Sequence, residues 1–338
     1  MLDNGEIQRY IDTYSVRGLT SNPSIFDKAI ASGDYDEDMR SLATNDTTSE
    51  EVFFQLAIAD LQRAADLFAP LHQRTDGVDG WVSLEVSPLF AYDTDKTIEA
   101  AAAIHARAER SNLFVKIPGT PPGLRAIEES IAAGIAVNVT LLFDADQYLA
   151  AADAYLKGIE RRITTGLNPA VACVASVFIS RWDAAVATLV PPELTNRLGL
   201  AVGLETYRAY RELLASERMQ RIHNAGGRAQ RLLWASTKTK DPDASDTLYV
   251  EGLASPFTIN TMPDATLEAF YDHGRVTASI PVDGGDYKSQ LAEFARAGVD
   301  RSNLAHQLQD EGATAFTTSW NELLAKIGTQ LSGSARRS

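Results

Sequence analysis

The sequence predicts a parallel α/β fold, and three observations carry that prediction. Short segments rich in Val, Ile, Leu and aromatic residues alternate with longer segments of helical character along the chain. Alternating β and α units join parallel strands and place helices outside the sheet. The 338 residues accommodate one large domain or two ordinary ones, at ~100–200 residues each. Two architectures meet these conditions: an open doubly wound sheet and a closed (β/α)8 barrel. No Gly-x-Gly-x-x-Gly follows an early strand and no Gly-Lys-Ser or Gly-Lys-Thr occurs, which counts against a nucleotide-binding open sheet. A barrel takes ~250 residues and leaves roughly a quarter of this chain for additional helices.

The strand candidates, in chain order, are Arg17–Thr20, Trp81–Val86, Leu113–Ile117, Ala136–Leu142, Ala172–Ser180, Leu232–Ser236 and Leu248–Leu253. Each is bounded by Gly, Pro or polar residues. That makes seven strands, one fewer than a (β/α)8 barrel holds. Helical patterns fill the intervals. Ser49–Phe68 follows the polar run Thr47, Thr48 and Ser49, and brings Val52, Leu56, Ala59 and Phe68 near one face. Thr94–Ala108 is Ala-rich with an acidic start, and Gly123–Ala133 ends at Gly134, a helix-stopping residue. Gln147–Thr164 and Asn196–Ser216 repeat the pattern, and Pro281–Ile327 holds several further helical runs. Ser332–Ser338 reads as a frayed polar tail.

Composition narrows the function. Hydrophobic residues make up 45% and aromatic residues 8%, the composition of a globular chain. The formal net charge is −14, which argues against nucleic acid and anionic membranes as partners. A small anionic substrate remains compatible, because a few local cations can hold it against the global field. A single cysteine, Cys173, rules out an intrachain disulfide. With no signal peptide at the start, the expected location is the cytoplasm. No window approaches the ~18 apolar residues of a membrane span. His72, His105, His223, His273 and His306 are scattered, and none stands in a metal-ligand spacing. No metal and no cofactor are expected.

The strands carry an unusual set of polar residues. Strand side chains alternate faces, so Ser83 and Glu85 lie opposite Val82, Leu84 and Val86, and Lys116 shares a face with Phe114. Asn138 and Thr140 share a face, as do Ser176, Phe178 and Ser180, and also Trp234 and Ser236. Barrel interiors are usually filled by branched apolar residues, and barrel active sites form at the C-terminal strand ends. Here five strands offer Glu, Lys, Asn, Thr and Ser on the inward face near that end. Each has an ordinary reading alone: a lysine that snorkels, a solvated glutamate, an amide that satisfies the backbone. Together they read as a site.

The chemistry follows from the residue types. Lys116 lies among Phe114, Val115, Ile117 and Pro118. Desolvation there disfavours the ammonium form and favours a nucleophilic amine, which suits a Schiff base with a carbonyl substrate. Glu85 with the Thr140 hydroxyl can hold a water and move protons during dehydration and hydrolysis of the adduct. Asn and Ser side chains can bind substrate hydroxyls. Arg181 directly follows one strand, and Lys238 and Lys240 follow the next. Phosphate sites in barrels often lie after the late strands, and a guanidinium offers a bidentate fork.

These residues stand in motifs that resemble those of the transaldolase family, of the type common in actinobacteria. The motifs are Gly18-Leu-Thr-Ser-Asn-Pro-Ser-Ile-Phe26, Val82-Ser-Leu-Glu-Val86, Asn112-Leu-Phe-Val-Lys-Ile-Pro118, Val137-Asn-Val-Thr-Leu-Leu-Phe143, Leu233-Trp-Ala-Ser-Thr237 and Asn260-Thr-Met-Pro263. The resemblance covers about Gly5 to Ile327. It implies a (β/α)8 TIM barrel with extra C-terminal helices, as a single domain over residues 1–331 followed by the tail 332–338. It implies a transferase of the pentose phosphate pathway that moves a dihydroxyacetone unit between sugar phosphates. The donor would be sedoheptulose 7-phosphate or fructose 6-phosphate, and the acceptor glyceraldehyde 3-phosphate or erythrose 4-phosphate. By motif position Lys116 matches the Schiff-base lysine, and Glu85 and Thr140 the pair that positions the catalytic water. Asn22 and Asn138, with Ser176 beside them, match ligands of the dihydroxyacetone hydroxyls. Arg181 and Ser236 match phosphate-site positions, with Lys238 and Lys240 as rival candidates for a second cation. A monomer or homodimer is expected.

The match has one departure. Family members begin with an extra strand ahead of the Gly5–Thr13 helix, and it carries an Asp that accepts and donates the proton in C–C cleavage. Met1 stands only a few residues before that helix, so the first barrel strand is expected to be missing here. Asp3 lies several residues too close to the Asn22 motif for that role. The favoured expectation is a true start upstream, because loss of a barrel strand exposes two edges. The alternatives are a chain that uses another group or water as base, and a non-catalytic sugar-phosphate-binding relative. A simple Schiff-base aldolase is a further enzymatic alternative.

Overall fold

Among the described residues seven strands alternate with helices in chain order: β1 (Gly18–Thr20), β2 (Trp81–Glu85), β3 (Leu113–Pro118), β4 (Val137–Leu142), β5 (Cys173–Phe178), β6 (Arg231–Ala235) and β7 (Thr258–Asn260). This computed structural model describes residues 2, 4–22, 26, 29–30, 33–42 and 47–335, with side chains to 332. The parallel βα succession is that of a TIM-barrel-type fold. Asp3, residues 23–25 of the first motif and residues 336–338 lie outside the described residues. The chain divides into two compact units, one of residues 1–117 with 313–338 and the other of residues 118–312.

In the first unit β1, β2 and β3 pair parallel, with Thr20 opposite Ser83, Ser83 opposite Phe114 and Glu85 opposite Lys116. The helix Ser49–Arg74 begins with a capping box: the Thr48 hydroxyl accepts from the Glu51 backbone N–H, and the Glu51 carboxylate accepts from the Thr48 backbone N–H. Its buried stripe includes Val52, Leu56, Leu61, Ala65 and Phe68, the helical spacing of a core-facing side. It runs past the expected Phe68 and carries Pro70 within it. Asn112, the first residue of the Asn112–Pro118 motif, is a structural tie. Its amide donates to the Ala65 carbonyl at 2.9 Å and the Gly80 carbonyl at 2.8 Å, fixing the start of β3 against that helix.

In the second unit β4, β5, β6 and β7 pair parallel in sequence order. The helix Pro121–Ala133 is capped by the Thr120 hydroxyl and stops at Gly134, whose φ of 92° suits glycine. The register between β4 and β5 slips between Val139 and Leu142, and Leu141 has φ of 59°. That is a β-bulge with a non-glycine residue in the left-handed region, a local cost of order 1–3 kcal/mol.

Several expectations are corrected. Leu248–Leu253 is not a strand: Leu248–Gly252 forms a short helix that buries Tyr249 and Val250, and the Tyr249 hydroxyl donates to Asp183 at 2.8 Å. A run as short as Leu248–Leu253 fits either period, and packing decided it. The seventh strand is instead Thr258–Asn260, too short and too polar to stand out as a strand in sequence. The polar tail is also shorter than expected, because the last helix, Arg301–Ala335, enters it. Ser180 likewise begins a helix, Ser180–Val186, rather than ending a strand.

Candidate active site

In the first unit, the β2–β3 register sets Glu85 beside Lys116. Lys116 Nζ donates to Glu85 Oε2 at 2.9 Å, with the two side chains only 7% and 4% exposed. Glu85 Oε1 is buried without a hydrogen-bond partner among the described residues. Burial pushes the Glu85 carboxyl above its ordinary pKa, and the charge and hydrogen bond of Lys116 pull it partly back. Lys116 Nζ also lies over the ring of Phe316, 5.5 Å from its centroid.

Next to the pair is a cavity lined by Ser21, Asn22, Phe26, Phe53, Leu84, Glu85, Val86 and Trp320, with a volume of about 10 Å³. That is close to the space one water needs. Asn22, expected as a substrate ligand, is thus brought to the same cavity as Glu85.

The second unit holds the remaining expected residues. Thr140 is fully buried at the bulge of β4, and its hydroxyl has no hydrogen-bond partner among the described residues. The bulge is tied down from both sides. The Gly119 backbone N–H donates to the Thr140 carbonyl at 2.7 Å. The Gln309 amide donates to the carbonyls of Leu141 at 2.8 Å and Gly119 at 3.1 Å. At Gly312 an added Cβ would stand 2.9 Å from the Leu141 side chain and 3.0 Å from the Arg181 guanidinium. Asn138 and Ser176 meet across β4 and β5, where the Ser176 hydroxyl donates to Asn138 Oδ1 at 2.7 Å.

The three expected phosphate-site cations are electrostatically coupled. Burial pushes the Arg181 guanidinium below its ordinary pKa, and Glu311 opposes that. Partial desolvation, then the positive charges of Lys238 and Arg181, push the Lys240 ammonium below its ordinary value. Among the described residues none of the three makes a salt bridge. Ser236 has φ of 53°, its carbonyl accepts from the Ser180 N–H at 2.9 Å, and the two hydroxyls are 3.0 Å apart. This second strained residue lies at a strand end beside the cations.

Sequence reasoning missed Gln309, Phe316 and Trp320. Their signal was the spacing Gln309, Ala313, Phe316, Trp320, which is one face of a helix. No group of three or more His, Cys, Asp or Glu among the described residues is arranged to hold a metal ion. No helix among them is long and apolar enough to cross a membrane.

Comparison with known proteins shows the family. The family model described as "Transaldolase/Fructose-6-phosphate aldolase" matches residues 1–327. The chain is 42% identical over 341 residues to the transaldolase of Parafrankia sp. (strain EAN1pec), covering 98% of this chain and 92% of that protein. It is 42% identical over 342 residues to the transaldolase of Thermobifida fusca (strain YX), with the same coverages. It is 42% identical over 337 residues to that of Thiobacillus denitrificans (strain ATCC 25259 / T1), covering 97% of this chain and 94% of that protein. With the family matched over nearly the whole chain, and a buried lysine–glutamate pair on adjacent parallel strands, the chain belongs to the transaldolase/fructose-6-phosphate aldolase family.

Proposed function

We propose that this protein is a transaldolase in which Lys116 carries the substrate as a Schiff base. The buried Lys116–Glu85 pair carries this reading, because it joins a nucleophilic nitrogen to a proton acceptor away from solvent. Glu85 takes the ammonium proton, and the free amine attacks the C2 carbonyl of a ketose phosphate. The carboxyl acid so formed, already favoured by burial, returns the proton to the leaving hydroxyl of the carbinolamine through a water. A water, and not the side chain alone, fits the unpartnered Oε1 and the cavity that Glu85 lines. Thr140 is assigned to the water-handling step by its motif position and its unpartnered buried hydroxyl.

The C4 hydroxyl then gives its proton, through water, to the Glu85 carboxylate left by dehydration; the C3–C4 bond breaks with its electron pair drawn into the iminium, the aldose phosphate leaves as the aldehyde, and a three-carbon enamine stays on Lys116 until an acceptor aldehyde arrives. Asn22, Asn138 and Ser176 are assigned to the hydroxyls of the three-carbon unit. Arg181, with Lys238, Lys240 and Ser236, is assigned to the phosphate. The reaction needs no metal or cofactor in this scheme, and the substrates are sugar phosphates.

The test is borohydride reduction in the presence of fructose 6-phosphate, followed by peptide mass analysis. A reduced adduct on Lys116, lost in Lys116→Ala together with transfer activity, is expected. Absence of the adduct, or an active Lys116→Ala variant, refutes the reading. A coupled assay with and without erythrose 4-phosphate separates transfer, which needs the acceptor, from aldolase action, which releases free dihydroxyacetone without one.

A further inference from the structure

We propose that Phe316 is a positioning residue for the Schiff-base nitrogen: its ring covers Lys116 Nζ, favours positive charge there and keeps water from the bond between Nζ and the three-carbon unit. The inference rests on the Schiff-base reading of Lys116 and extends it to a residue outside the strands. The geometry points to it in two ways. Lys116 Nζ lies over the Phe316 ring, 5.5 Å from the centroid, within the range of a cation–π contact. The ring is half-buried and so forms part of the cover over an otherwise dry nitrogen.

The helix that carries Phe316 is held in register one turn further on. Trp320 is 1% exposed and packs edge-on against Phe53, with centroids 4.8 Å apart and planes at 84°. Residues four apart share a helix face, so anchoring Trp320 also sets the height of Phe316. Trp320 lines the small cavity with Glu85. One helix face thus addresses both members of the reactive pair.

The chemistry gives this cover a specific consequence. The carbinolamine is neutral and the iminium is cationic, so a π-face over Nζ favours dehydration over its reversal. After C–C cleavage, protonation of the enamine carbon regenerates an iminium. Water adding to its carbon, with cleavage of the C–N bond, releases free dihydroxyacetone and returns the Lys116 amine. A ring over Nζ restricts that water and preserves the unit for the acceptor aldehyde.

The experiment uses the full chain with Phe316→Ala and Phe316→Leu, each checked for an unchanged urea midpoint and far-UV dichroism. The readouts are borohydride-trapped adduct on Lys116 at saturating fructose 6-phosphate, and the ratio of free dihydroxyacetone released to units transferred. Phe316→Ala should lower the trapped iminium about 5–30-fold and raise the release-to-transfer ratio. Phe316→Leu, which keeps apolar cover without the π-face, should keep the ratio near that of the parent while still lowering the trapped adduct. If both variants fold, and trapping and ratio stay at the parent values whatever happens to kcat or KM, the inference is overturned. If the parent protein itself gives no adduct, the Schiff-base reading fails instead, and the two failures are distinct.

Discussion

Removing the lysine and keeping the glutamate gives the sharpest test of the buried pair. In Lys116→Met the apolar stem is roughly conserved and Nζ is lost, so Glu85 is left without its charged partner at 4% side-chain exposure. Breaking a buried ion pair by removing one partner costs about 3–5 kcal/mol. The carboxyl escapes that cost by taking up a proton. Burial raises its pKa above the ordinary value and Lys116 is what lowers it again, so in the variant the folded-state pKa rises further. The native state then binds more protons than the unfolded state above the ordinary carboxyl pKa. Stability is therefore fully present below that pKa and is lost as pH rises through the folded-state value, with a slope of up to about 1.4 kcal/mol per pH unit. At pH 5 the variant should lose only a hydrogen bond, about 1 kcal/mol, and at pH 8 the full several kcal/mol.

Urea unfolding at pH 5, 6, 7 and 8 reads this directly, with Glu85→Gln/Lys116→Met as the control. The double variant has no titrating group at this place, so its loss should be nearly independent of pH. Equal losses for Lys116→Met at pH 5 and pH 8 would refute the reasoning, as would a slope that persists in the double variant.

Thr140→Val should separate stability from activity. The hydroxyl has no partner among the described residues, so its removal should leave the urea midpoint unchanged or raise stability by up to about 1 kcal/mol, while transfer activity falls about 100-fold; lost stability with retained activity would contradict both assignments. Arg181→Ala should cut kcat/KM for phosphorylated substrates about 10–150-fold, the worth of a charge-assisted hydrogen bond. Unphosphorylated ketoses, assayed in parallel, should show little change. Gln309→Leu leaves the carbonyls of Leu141 and Gly119 without their donor. It should cost about 1–3 kcal/mol in urea unfolding, and a neutral result would show that the bulge does not depend on this amide.

What the sequence made legible were the features with a local period or a motif. β2 to β6 matched their expected spans closely, because buried parallel strands read as short continuous apolar runs between turn residues. Glu85 and Lys116 could be placed on one face by parity, and the register confirms them as neighbours. Thr258–Asn260 stayed hidden because three residues carry no period. The Leu141 bulge stayed hidden because nothing in Val137–Phe143 departs from strand composition, and the turn in the backbone is supported by Gln309, about 170 residues away. Phe316 was hidden for the opposite reason: an aromatic on an amphipathic helix reads as core, and only the lysine beneath it gives it another role.

The grouping of three cations supports the phosphate assignment independently of any motif. The chain as a whole is acidic, with a net charge of −14, and cations such as Arg218, with Asp153 and Glu160, and Arg161, with Glu128 and Glu129, are paired with carboxylates. Arg181, Lys238 and Lys240 make no salt bridge among the described residues, and the Lys240 ammonium is pushed below its ordinary pKa first by partial desolvation and then by the charges of Lys238 and Arg181. Like charges brought together in an acidic protein cost free energy, and an anion bound among them offsets that cost. A dianionic phosphate meets the requirement, and the guanidinium contributes the planar, two-point geometry that an ammonium lacks. Under the proposed assignment, the repulsion within this cluster in the free protein and the affinity for a phosphorylated sugar share one physical cause. Raising ionic strength should weaken binding of the phosphorylated substrate while easing the repulsion in the free enzyme.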